Sequence, residues 1–565
     1  MNNRQQTIEK IKQTPEISVL IIGGGINGLG VFRDLALQGV DVLVVDRDDF
    51  CSGTSAGSSR MVHGGIRYLE NGEFRLVREA VEERNRLIEN APHYVKPLPT
   101  TIPIFRHLSG LLNAPLKFLN VLDNPGERGA LVIKMGLVMY DTFTAGQGTV
   151  PKHKVWSRRE ALRQFPKFNR KIVSAATYYD GTMRDAERIA IEVMLEGDAA
   201  HPGANALNYV SAVGAEQDEV LLQDQLSGEQ FKVKPKLVIN AAGPWIDFVN
   251  QALGETTRFI GGTKGSHIVL DHPELHDACN GNEIFFENDD GRIVLVYPLG
   301  GRVILGTSDL KIDNPDDARC TDEEVDYFLQ LAKVVFPSIK IDRSQIVYSY
   351  TAVRPLPSSD ANTTGQISRD HSNRVIEPGT FEFPIFNLIG GKWTTFRAFS
   401  EQVTDATLKR LGRARTLNTK KRAIGGGKDY PTGRTAQKQW VTAVAEETGV
   451  SEARVAQLFD RYGTGAKPLA AYISEGEDQP LKHCPDYSVR EVIYVTEQEK
   501  VFHLTDFIQR RSLLALTGQV TYELLVELAT IIGVTLGWSE DECEADVQRT
   551  VAIFDQYHNV EFGNQ

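Results

Sequence analysis

Residues 17–46 have the sequence ISVLIIGGGINGLGVFRDLALQGVDVLVVD, and this stretch decides the fold. It begins and ends with an apolar, β-branched run, which is typical of parallel strands covered on both faces of a sheet. Between the runs, apolar residues recur at helical spacing as far as Gly39, which can cap the end of a helix. The pattern predicts a strand, a helix and a second strand, the β-α-β unit of a doubly wound sheet.

Three glycines, spaced Gly23-x-Gly25-x-x-Gly28, separate the first strand from the helix. The first permits a tight turn, the second lets a pyrophosphate approach the backbone, and the third lets the helix pack closely on the strand. Asp46, 18 residues beyond Gly28, ends the second strand, where a carboxylate accepts hydrogen bonds from a ribose. The unit therefore predicts dinucleotide binding, although its spacing does not decide between NAD and FAD.

The overall composition is that of an acidic globular protein. The 565 residues include 62 Lys and Arg against 74 Asp and Glu, a net charge of −12. This balance argues against nucleic acid as the main partner, because phosphate contacts need clustered cations. Five scattered cysteines without a CxxC motif argue against a disulfide framework or a metal site, and favour a reducing compartment. The polar N-terminus predicts no signal peptide, and no apolar run is long enough for a transmembrane helix.

Composition divides the chain into three parts. Residues 1–16 form a polar N-terminal extension, and residues 17–429 alternate strand runs with helices and turns. We expect the second part to be a Rossmann-like nucleotide-binding domain interleaved with a mixed-sheet substrate domain, the latter at roughly 90–170 and 255–350. Residues 430–565 follow a basic, Gly-rich segment and have helical patterns. The predicted class is α/β, with α+β elements and an all-helical C-terminal domain.

Two local signals sharpen this prediction. The sequence LGGR between apolar runs, ending at Arg302, is a hairpin signal. Ser539 followed by Glu542 predicts a capping box at the start of the last helix.

Several later motifs combine small residues with isolated His, Arg or Lys side chains. They are TSAGSSRMVHGGIRYLE at 54–70, NAAGPW at 240–245, KGSHIVL at 264–270, LGTSD at 305–309, YTAVRPL at 350–356 and GGKWTTFR at 390–397. Together with IIGGGINGLG, their combination and order resemble the FAD-dependent glycerol-3-phosphate dehydrogenases. The resemblance covers about residues 17–400 and continues more loosely through the helical tail.

This resemblance implies an activity and a cofactor. The cofactor is FAD, bound by the 17–429 part, and the reaction is oxidation of sn-glycerol 3-phosphate to dihydroxyacetone phosphate. Hydride passes from C2 to N5 of the flavin, and electrons pass to a quinone at a membrane surface. Three alternatives stay open: a dehydrogenase of another polyol phosphate such as erythritol phosphate, an oxygen-using glycerol-phosphate oxidase, and a non-catalytic flavin-binding module.

Residues for the substrate follow from the same resemblance. A phosphate needs cations, and the guanidinium fork of Arg suits it. The resemblance implies that the phosphate pocket consists of Arg67, Tyr68, Arg369 and Lys392. It also places His267 and Arg354 near the reacting carbinol. His63 and His267 are both candidates for the base, since imidazole titrates near neutral pH, and Arg354 could instead stabilise an alkoxide.

The resemblance also assigns the cofactor-binding residues. Gly23, Gly25, Gly28 and Asp46 hold the ADP half. Thr54, Ser55, Ser59 and Gly64 line the pyrophosphate and isoalloxazine, Gly243 and Pro244 return towards the cofactor, and Gly391, Lys392 and Thr394 close near the pyrimidine end of the flavin. Trp393 departs from the family pattern, which has an aliphatic residue at that position.

The apolar segment 105–135 has two interpretations, a peripheral membrane contact or an insertion that packs in the core. The expected location is accordingly the cytoplasm, with the inner face of the cytoplasmic membrane as the second option. The sequence leaves open the electron acceptor, the exact polyol phosphate, a homodimer, and the role of the N-terminal extension.

Overall fold

A computed structural model describes residues 3–65, 74–106, 137–138, 140–141, 149–287, 293–358 and 370–562. The strands in this part are β1 (Glu16–Ile22), β2 (Val42–Val45), β3 (Met61–Val62), β4 (Val95–Ile104), β5 (Lys154–Ser157), β6 (Ser174–Met183), β7 (Ala204–Leu207), β8 (Val210–Glu216), β9 (Glu219–Asp224), β10 (Gln230–Asn240), β11 (Thr263–Leu270), β12 (Glu283–Glu287), β13 (Ile293–Leu299), β14 (Arg302–Gly306), β15 (Leu310–Lys311), β16 (Ile346–Arg354), β17 (Ser372–Ile376) and β18 (Ile385–Ile389).

The helices are α1 (Asn3–Gln13), α2 (Ile26–Leu37), α3 (Phe74–Asn90), α4 (Arg158–Gln164), α5 (Ala186–Ala200), α6 (Ile246–Ala252), α7 (Pro273–Ala278), α8 (Asp322–Val335), α9 (Phe396–Arg410), α10 (Arg434–Thr448), α11 (Glu452–Tyr462), α12 (Ala466–Ser474), α13 (Val489–Gln498), α14 (Tyr522–Leu536) and α15 (Glu540–His558). A short helical stretch, Leu504–Asp506, continues into a π-helical turn, Phe507–Arg511. None of the helices in the described ranges has the length and apolar character that crossing a membrane requires.

The predicted β-α-β unit is present at the centre of the first sheet. This sheet has the order β17-β18-β10-β1-β2-β7, with β8 and β9 attached through β10. The strands from β18 to β7 run parallel to one another. Alternate residues of β1 face opposite cores: Val19 and Ile21 pack with α2, α5 and α9, while Leu20 and Ile22 face a second core. The apolar runs therefore belong to a sheet covered on both faces, as predicted.

The N-terminal extension contributes to the second of these cores. Its residues form α1, whose Ile8 and Ile11 side chains are buried there. Arg4 of the same helix forms an ion pair with Asp224 at 2.5 Å, and it donates a hydrogen bond to the carbonyl of Asn208 at 2.6 Å. The extension is therefore a helix that closes one face of the nucleotide-binding sheet.

A second, larger sheet holds the other strands. Its order is β15-β11-β14-β13-β12-β4-β6-β3, and β16 and β5 pair with β11 and β6. The predicted hairpin joins β13 to β14, because Gly300 and Gly301 both have positive φ in the turn before Arg302. One face of this sheet packs on α8 through Phe328, and the other packs on C-terminal helices through Tyr348.

The C-terminal region is all helical, which confirms the predicted class. The capping box of α15 forms as predicted, with Ser539 and Glu542 each bonded to the other's backbone. Arg510 and Arg511 of the π-helical turn form buried ion pairs with Asp49, which follows β2. These charges join the helical region to the nucleotide-binding sheet.

Candidate active site

The glycine cradle, which we define as Gly23, Gly25 and Gly28, follows directly on β1. A Cβ at Gly28 would lie 1.9 Å from the carbonyl oxygen of Gly23, and a Cβ at Gly23 would lie 2.6 Å from the backbone of Ala241. Gly23 also has a φ of 113°, which L side chains rarely adopt. Both positions therefore require glycine, and the segment after β10 that carries Gly243 lies beside the turn.

Asp46 closes the cradle from the end of β2. Its carboxylate accepts hydrogen bonds from the backbone N–H of Gly24 at 2.6 Å and from that of Asp48 at 3.0 Å. Burial nevertheless raises the pKa of Asp46 to about 7, and the nearby Asp48 carboxylate adds to the shift. The carboxylate is thus held where the sequence predicts a ribose contact. Because its pKa is about 7, it is partly protonated at neutral pH.

Residues 54–55 connect the cradle to β16 and to the segment that contains Trp393. The hydroxyl of Ser55 accepts a hydrogen bond from the first N–H of α2, that of Ile26, at 3.0 Å. The Thr54 hydroxyl donates to the carbonyl of Val353 in β16 at 2.6 Å. The Trp393 indole donates to the carbonyl of Ser55 at 2.9 Å, so the residue that departs from the family pattern has a specific partner here.

The GGKWTTFR segment reaches the cradle from the far end of the fold. Gly391 has a φ of 94°, and a Cβ there would lie 2.4 Å from the side-chain nitrogen of Asn27 at the start of α2. Thr394 accepts a hydrogen bond from the backbone N–H of His63 at 3.1 Å. The half-buried Lys392 lies between them in sequence. The structure thus brings together three segments that the sequence analysis selected separately.

Gly64 is fixed by a buried polar network that the sequence analysis missed. Its N–H donates to the carboxylate of Asp180 at 2.9 Å and to the hydroxyl of Tyr140 at 3.0 Å. Arg84 is fully buried, and it donates to the Tyr140 hydroxyl at 2.8 Å and to Asp180 at 3.3 Å. None of these three side chains lies in a recognisable motif, so only their three-dimensional arrangement reveals them.

His267 lies on β11, where it is 2% exposed. Its Nε2 atom is 2.9 Å from the hydroxyl of Ser59, and its ring stacks on Tyr350 with centroids 4.7 Å apart. Among the described residues, its Nδ1 atom has no hydrogen-bond partner. Burial lowers the pKa of His267 to about 3, and the positive charges of Arg354 and Arg60 add to the shift, so the imidazole is neutral at physiological pH.

Arg354 ends β16, the strand that pairs with β11. Its guanidinium donates to the carboxylate of Asp309 at 3.1 Å, to the hydroxyl of Thr307 at 3.2 Å and to the carbonyl of Ser308 at 3.1 Å. A Cβ at Gly265, two residues before His267, would lie 2.3 Å from this guanidinium. Arg354 thus lies flat against β11 on the face that carries His267. Its partners Thr307 and Asp309 belong to the LGTSD motif, which the sequence analysis noted without selecting either residue.

The remaining predicted residues divide into two groups. Pro244 is buried at the start of a short 3₁₀ turn, Gly243–Trp245, beside the cradle. Arg67, Tyr68 and Arg369 lie outside the described residues, so their place in a phosphate pocket stays a prediction.

Comparison with known proteins identifies the family of this chain. Residues 18–382 match the model of the FAD dependent oxidoreductase family, and residues 417–543 match that of the C-terminal domain of alpha-glycerophosphate oxidase. The chain is 33% identical to a glycerol-3-phosphate dehydrogenase of Synechocystis sp., over 95% of this chain and 96% of that protein. The chain belongs to the FAD-dependent glycerol-3-phosphate dehydrogenase family.

Further relatives support the family and its fold. The aerobic glycerol-3-phosphate dehydrogenase of Staphylococcus aureus is 30% identical, over 90% of this chain and 89% of that protein. The glycerol-3-phosphate dehydrogenase of Bacillus halodurans, solved in complex with FAD, has a similar fold, with a TM-score of 0.74 at 22% identity over 98% of each chain. The resemblance, the α/β class and FAD as cofactor are thereby confirmed.

The residues present in this chain fit FAD. The glycine cradle leaves backbone uncovered where a pyrophosphate would lie, at the N-terminus of α2. Asn27 in the first turn of that helix has a buried side-chain oxygen with no hydrogen-bond partner among the described residues, as expected of an atom that faces a ligand. Asp46 would hold the ribose, and the segments of Ser55 and Thr394 would flank the flavin.

Proposed function

We propose that this family member oxidises sn-glycerol 3-phosphate to dihydroxyacetone phosphate and passes the electrons to a quinone. The observation that carries this proposal is the pair formed by Arg354 and His267. The two side chains come from adjacent strands of the second sheet and lie on the same face of it, and Thr54 donates a hydrogen bond to the backbone of β16, the strand that carries Arg354. The substrate is assigned from the names of the relatives, which are glycerol-3-phosphate dehydrogenases.

The oxidation removes the C2 hydrogen as a hydride and the hydroxyl hydrogen as a proton, leaving a carbonyl. Bound FAD supplies the acceptor for the hydride. Arg354 directs a permanent positive charge at the oxygen, where negative charge develops as the proton leaves. Two electrons and two protons then convert the quinone to a quinol.

Two histidines remain candidates for the base. The low pKa of His267 makes this ring a weak proton acceptor at neutral pH, and its Nε2 atom is hydrogen-bonded to Ser59. His63 lies in the segment that continues from Ser59 towards Gly64, with its backbone fixed by Thr394. We assign His267 the role of a neutral hydrogen-bonding group and His63 that of the base. His63→Gln should flatten the acid side of the profile of kcat/KM against pH, because a base that must be unprotonated loses activity as the pH falls. A profile that His63→Gln leaves unchanged but His267→Gln flattens would reverse the assignment.

The substrate phosphate is assigned to the cationic side chains that the resemblance implies. Lys392 lies beside Gly391, next to the start of α2, and Arg67, Tyr68 and Arg369 would complete the pocket. A quinone acceptor implies a peripheral contact with the inner face of the membrane. Most of the apolar segment 105–135, which could make this contact, lies outside the described residues.

One observation favours a second acceptor. The C-terminal residues 417–543 match a domain named after alpha-glycerophosphate oxidase. In an oxidase the same substrate oxidation would reduce oxygen to hydrogen peroxide.

Product analysis with two acceptors tests the proposal. The purified holoenzyme is incubated with sn-glycerol 3-phosphate and a soluble quinone analogue without oxygen, and then with oxygen alone. We expect stoichiometric dihydroxyacetone phosphate and quinol in the first incubation and little peroxide in the second. Rapid peroxide formation would favour the oxidase. Turnover of erythritol phosphate in preference to glycerol 3-phosphate would overturn the substrate assignment, and no product with either would support a binding module.

A further inference from the structure

A buried carboxylate lies directly beneath the Arg354–His267 pair, on the other side of the strand. Glu324 is in the first turn of α8, whose N-cap is Thr321, and it is 4% exposed. Its side chain points away from solvent and towards β11. A buried charge of this kind is costly unless every oxygen is hydrogen-bonded.

Four donors converge on the two oxygens of Glu324. Oε2 accepts from the ammonium of Lys264 at 2.7 Å and from the backbone N–H of Thr321 at 2.9 Å. Oε1 accepts from the hydroxyl of Ser266 at 2.9 Å and from that of Ser308 at 2.5 Å. These hydrogen bonds outweigh burial and lower the pKa of Glu324, so the group is a carboxylate at neutral pH.

Two of these donors fix the orientation of β11. Side chains alternate between the faces of a strand, so Lys264 and Ser266 point towards Glu324 while Gly265 and His267 point towards the site. The position of the strand relative to α8 therefore sets the position of His267. It also sets the position of Gly265, against which the Arg354 guanidinium lies.

Ser308 makes the second connection. Its hydroxyl donates to Glu324 and accepts from the backbone N–H of Ser266 at 2.9 Å, while its carbonyl accepts from Arg354 at 3.1 Å. Two further partners of Arg354, Thr307 and Asp309, flank Ser308 in the chain. A single residue thus separates the Glu324 carboxylate from the guanidinium.

We infer that Glu324 is a positioning residue for the oxidation, acting on Arg354 through Ser308 and on His267 through β11. It touches neither substrate nor cofactor. The inference rests on the proposed function, since it gives the Arg354–His267 pair its geometry. A carboxylate is needed because four donors must be satisfied by two atoms in one buried place, which no other side chain of this size does.

The test measures flavin reduction by sn-glycerol 3-phosphate in a single anaerobic turnover. Glu324→Gln keeps the shape of the side chain but replaces one acceptor oxygen with an NH₂ donor. This donor would face either the Lys264 ammonium or the hydroxyls of Ser266 and Ser308. We expect the rate constant to fall about 10- to 100-fold, because small displacements of catalytic groups have effects of this size. Bound FAD per chain stays at the wild-type value, and the loss appears in the rate constant at saturating substrate and not in the apparent Kd for the substrate.

Thr321→Val is the matched control. It removes the N-cap hydroxyl at the same helix end and leaves all four donors to Glu324 in place, so it destabilises α8 without disturbing the network. We expect flavin reduction within about twofold of wild type. Equal losses in both variants would show that Glu324 acts only through stability, and a wild-type rate in Glu324→Gln would overturn the inference outright.

A double variant tests the route of the effect. If Glu324 acts through Arg354, adding Glu324→Gln to Arg354→Lys should slow the reaction less than it slows wild type. Full additivity of the two losses would contradict that route.

Should Glu324→Gln not fold, Ser308→Ala removes the same connection with the carboxylate intact, and we expect a loss of about 3- to 10-fold. A failure of the proposed function is separately visible, because the wild-type flavin itself would then not be reduced by glycerol 3-phosphate.

Discussion

In the glycine cradle, the surface available to a ligand is backbone, and in the Arg354–His267 pair it is side chain. Gly23 and Gly28 serve by having no Cβ, and their positions relative to each other follow from six consecutive residues. Arg354 and His267 serve by their charge and hydrogen bonding, and their positions follow from paired strands, the 307–309 loop and α8. The comparison shows why the cradle is recognisable from spacing alone, whereas the sequence selects Arg354 and His267 only through the family resemblance and their mutual geometry appears only in the folded chain. It also predicts that cofactor binding and oxidation can be separated by mutation.

The largest effect is expected in the cradle. Gly28→Ala would place a Cβ 1.9 Å from the carbonyl oxygen of Gly23, and no side-chain adjustment relieves a clash with backbone. We expect the purified variant to carry almost no flavin and to have no activity, as judged by the visible spectrum. Gly465→Ala is the control, because Gly465 has helical φ and ψ and its Cβ would make an ordinary contact at 3.8 Å. Stoichiometric flavin in Gly28→Ala would mean that the cradle does not hold the cofactor.

Arg354→Gln tests the other region. It removes the charge that we propose acts on the carbinol oxygen, so the rate of flavin reduction should fall about 10²- to 10³-fold, the usual cost of losing one such donor. Flavin content should be unchanged, and Arg374→Gln, on an exposed arginine, should have no effect on either. Loss of flavin in Arg354→Gln would break the proposed separation of the two regions.

Asp46 predicts a pH dependence that belongs to the cradle alone. A charged carboxylate is the stronger acceptor for the ribose hydroxyls that we assign to it, and its pKa without cofactor is about 7. FAD affinity should therefore weaken as the pH falls through about 7, by at most tenfold per pH unit. Titration of the apoprotein with FAD at several pH values measures this. Asp46→Asn should flatten the profile, and an unchanged profile in that variant would assign the dependence to another group.

The smallest effect is expected outside both regions. Ser539→Ala removes the N-cap hydroxyl of α15, which should lower the free energy of unfolding by about 1 kcal/mol. Flavin content and the rate of flavin reduction should stay at wild-type values. Denaturant unfolding measures the first quantity and anaerobic mixing the second. A changed rate would show that the C-terminal helices influence the site more than their contacts suggest.

Local patterns were enough to predict the parts of this fold whose physics is local. The strand-helix-strand unit of 17–46, the hairpin turn before Arg302 and the capping box at Ser539 each depend on residues within a few positions of one another. The order of the motifs then identified the family. The fold then brings these motifs together at one site. Val353 and Trp393 form hydrogen bonds with two neighbouring residues of one segment, Thr54 and Ser55.

The supporting polar networks could not be predicted in this way. Arg511 and Asp49 are 462 positions apart, and nothing near either residue marks it as part of a buried ion pair. The same holds for Asp180, whose carboxylate fixes Gly64, and for Glu324, which looks like an ordinary acidic residue at a helix N-terminus. Charged side chains of this kind resemble surface residues until the fold shows that they are buried.

The central claim is that the cradle holds FAD and the adjoining site reduces it with a glycerol phosphate. The most direct test is to add sn-glycerol 3-phosphate to the purified wild-type protein without oxygen or any other acceptor, while the visible flavin band is recorded. The account predicts that the band bleaches rapidly and completely and that one dihydroxyacetone phosphate forms per flavin. A band that persists at saturating substrate, in a folded protein that carries its flavin, would contradict it.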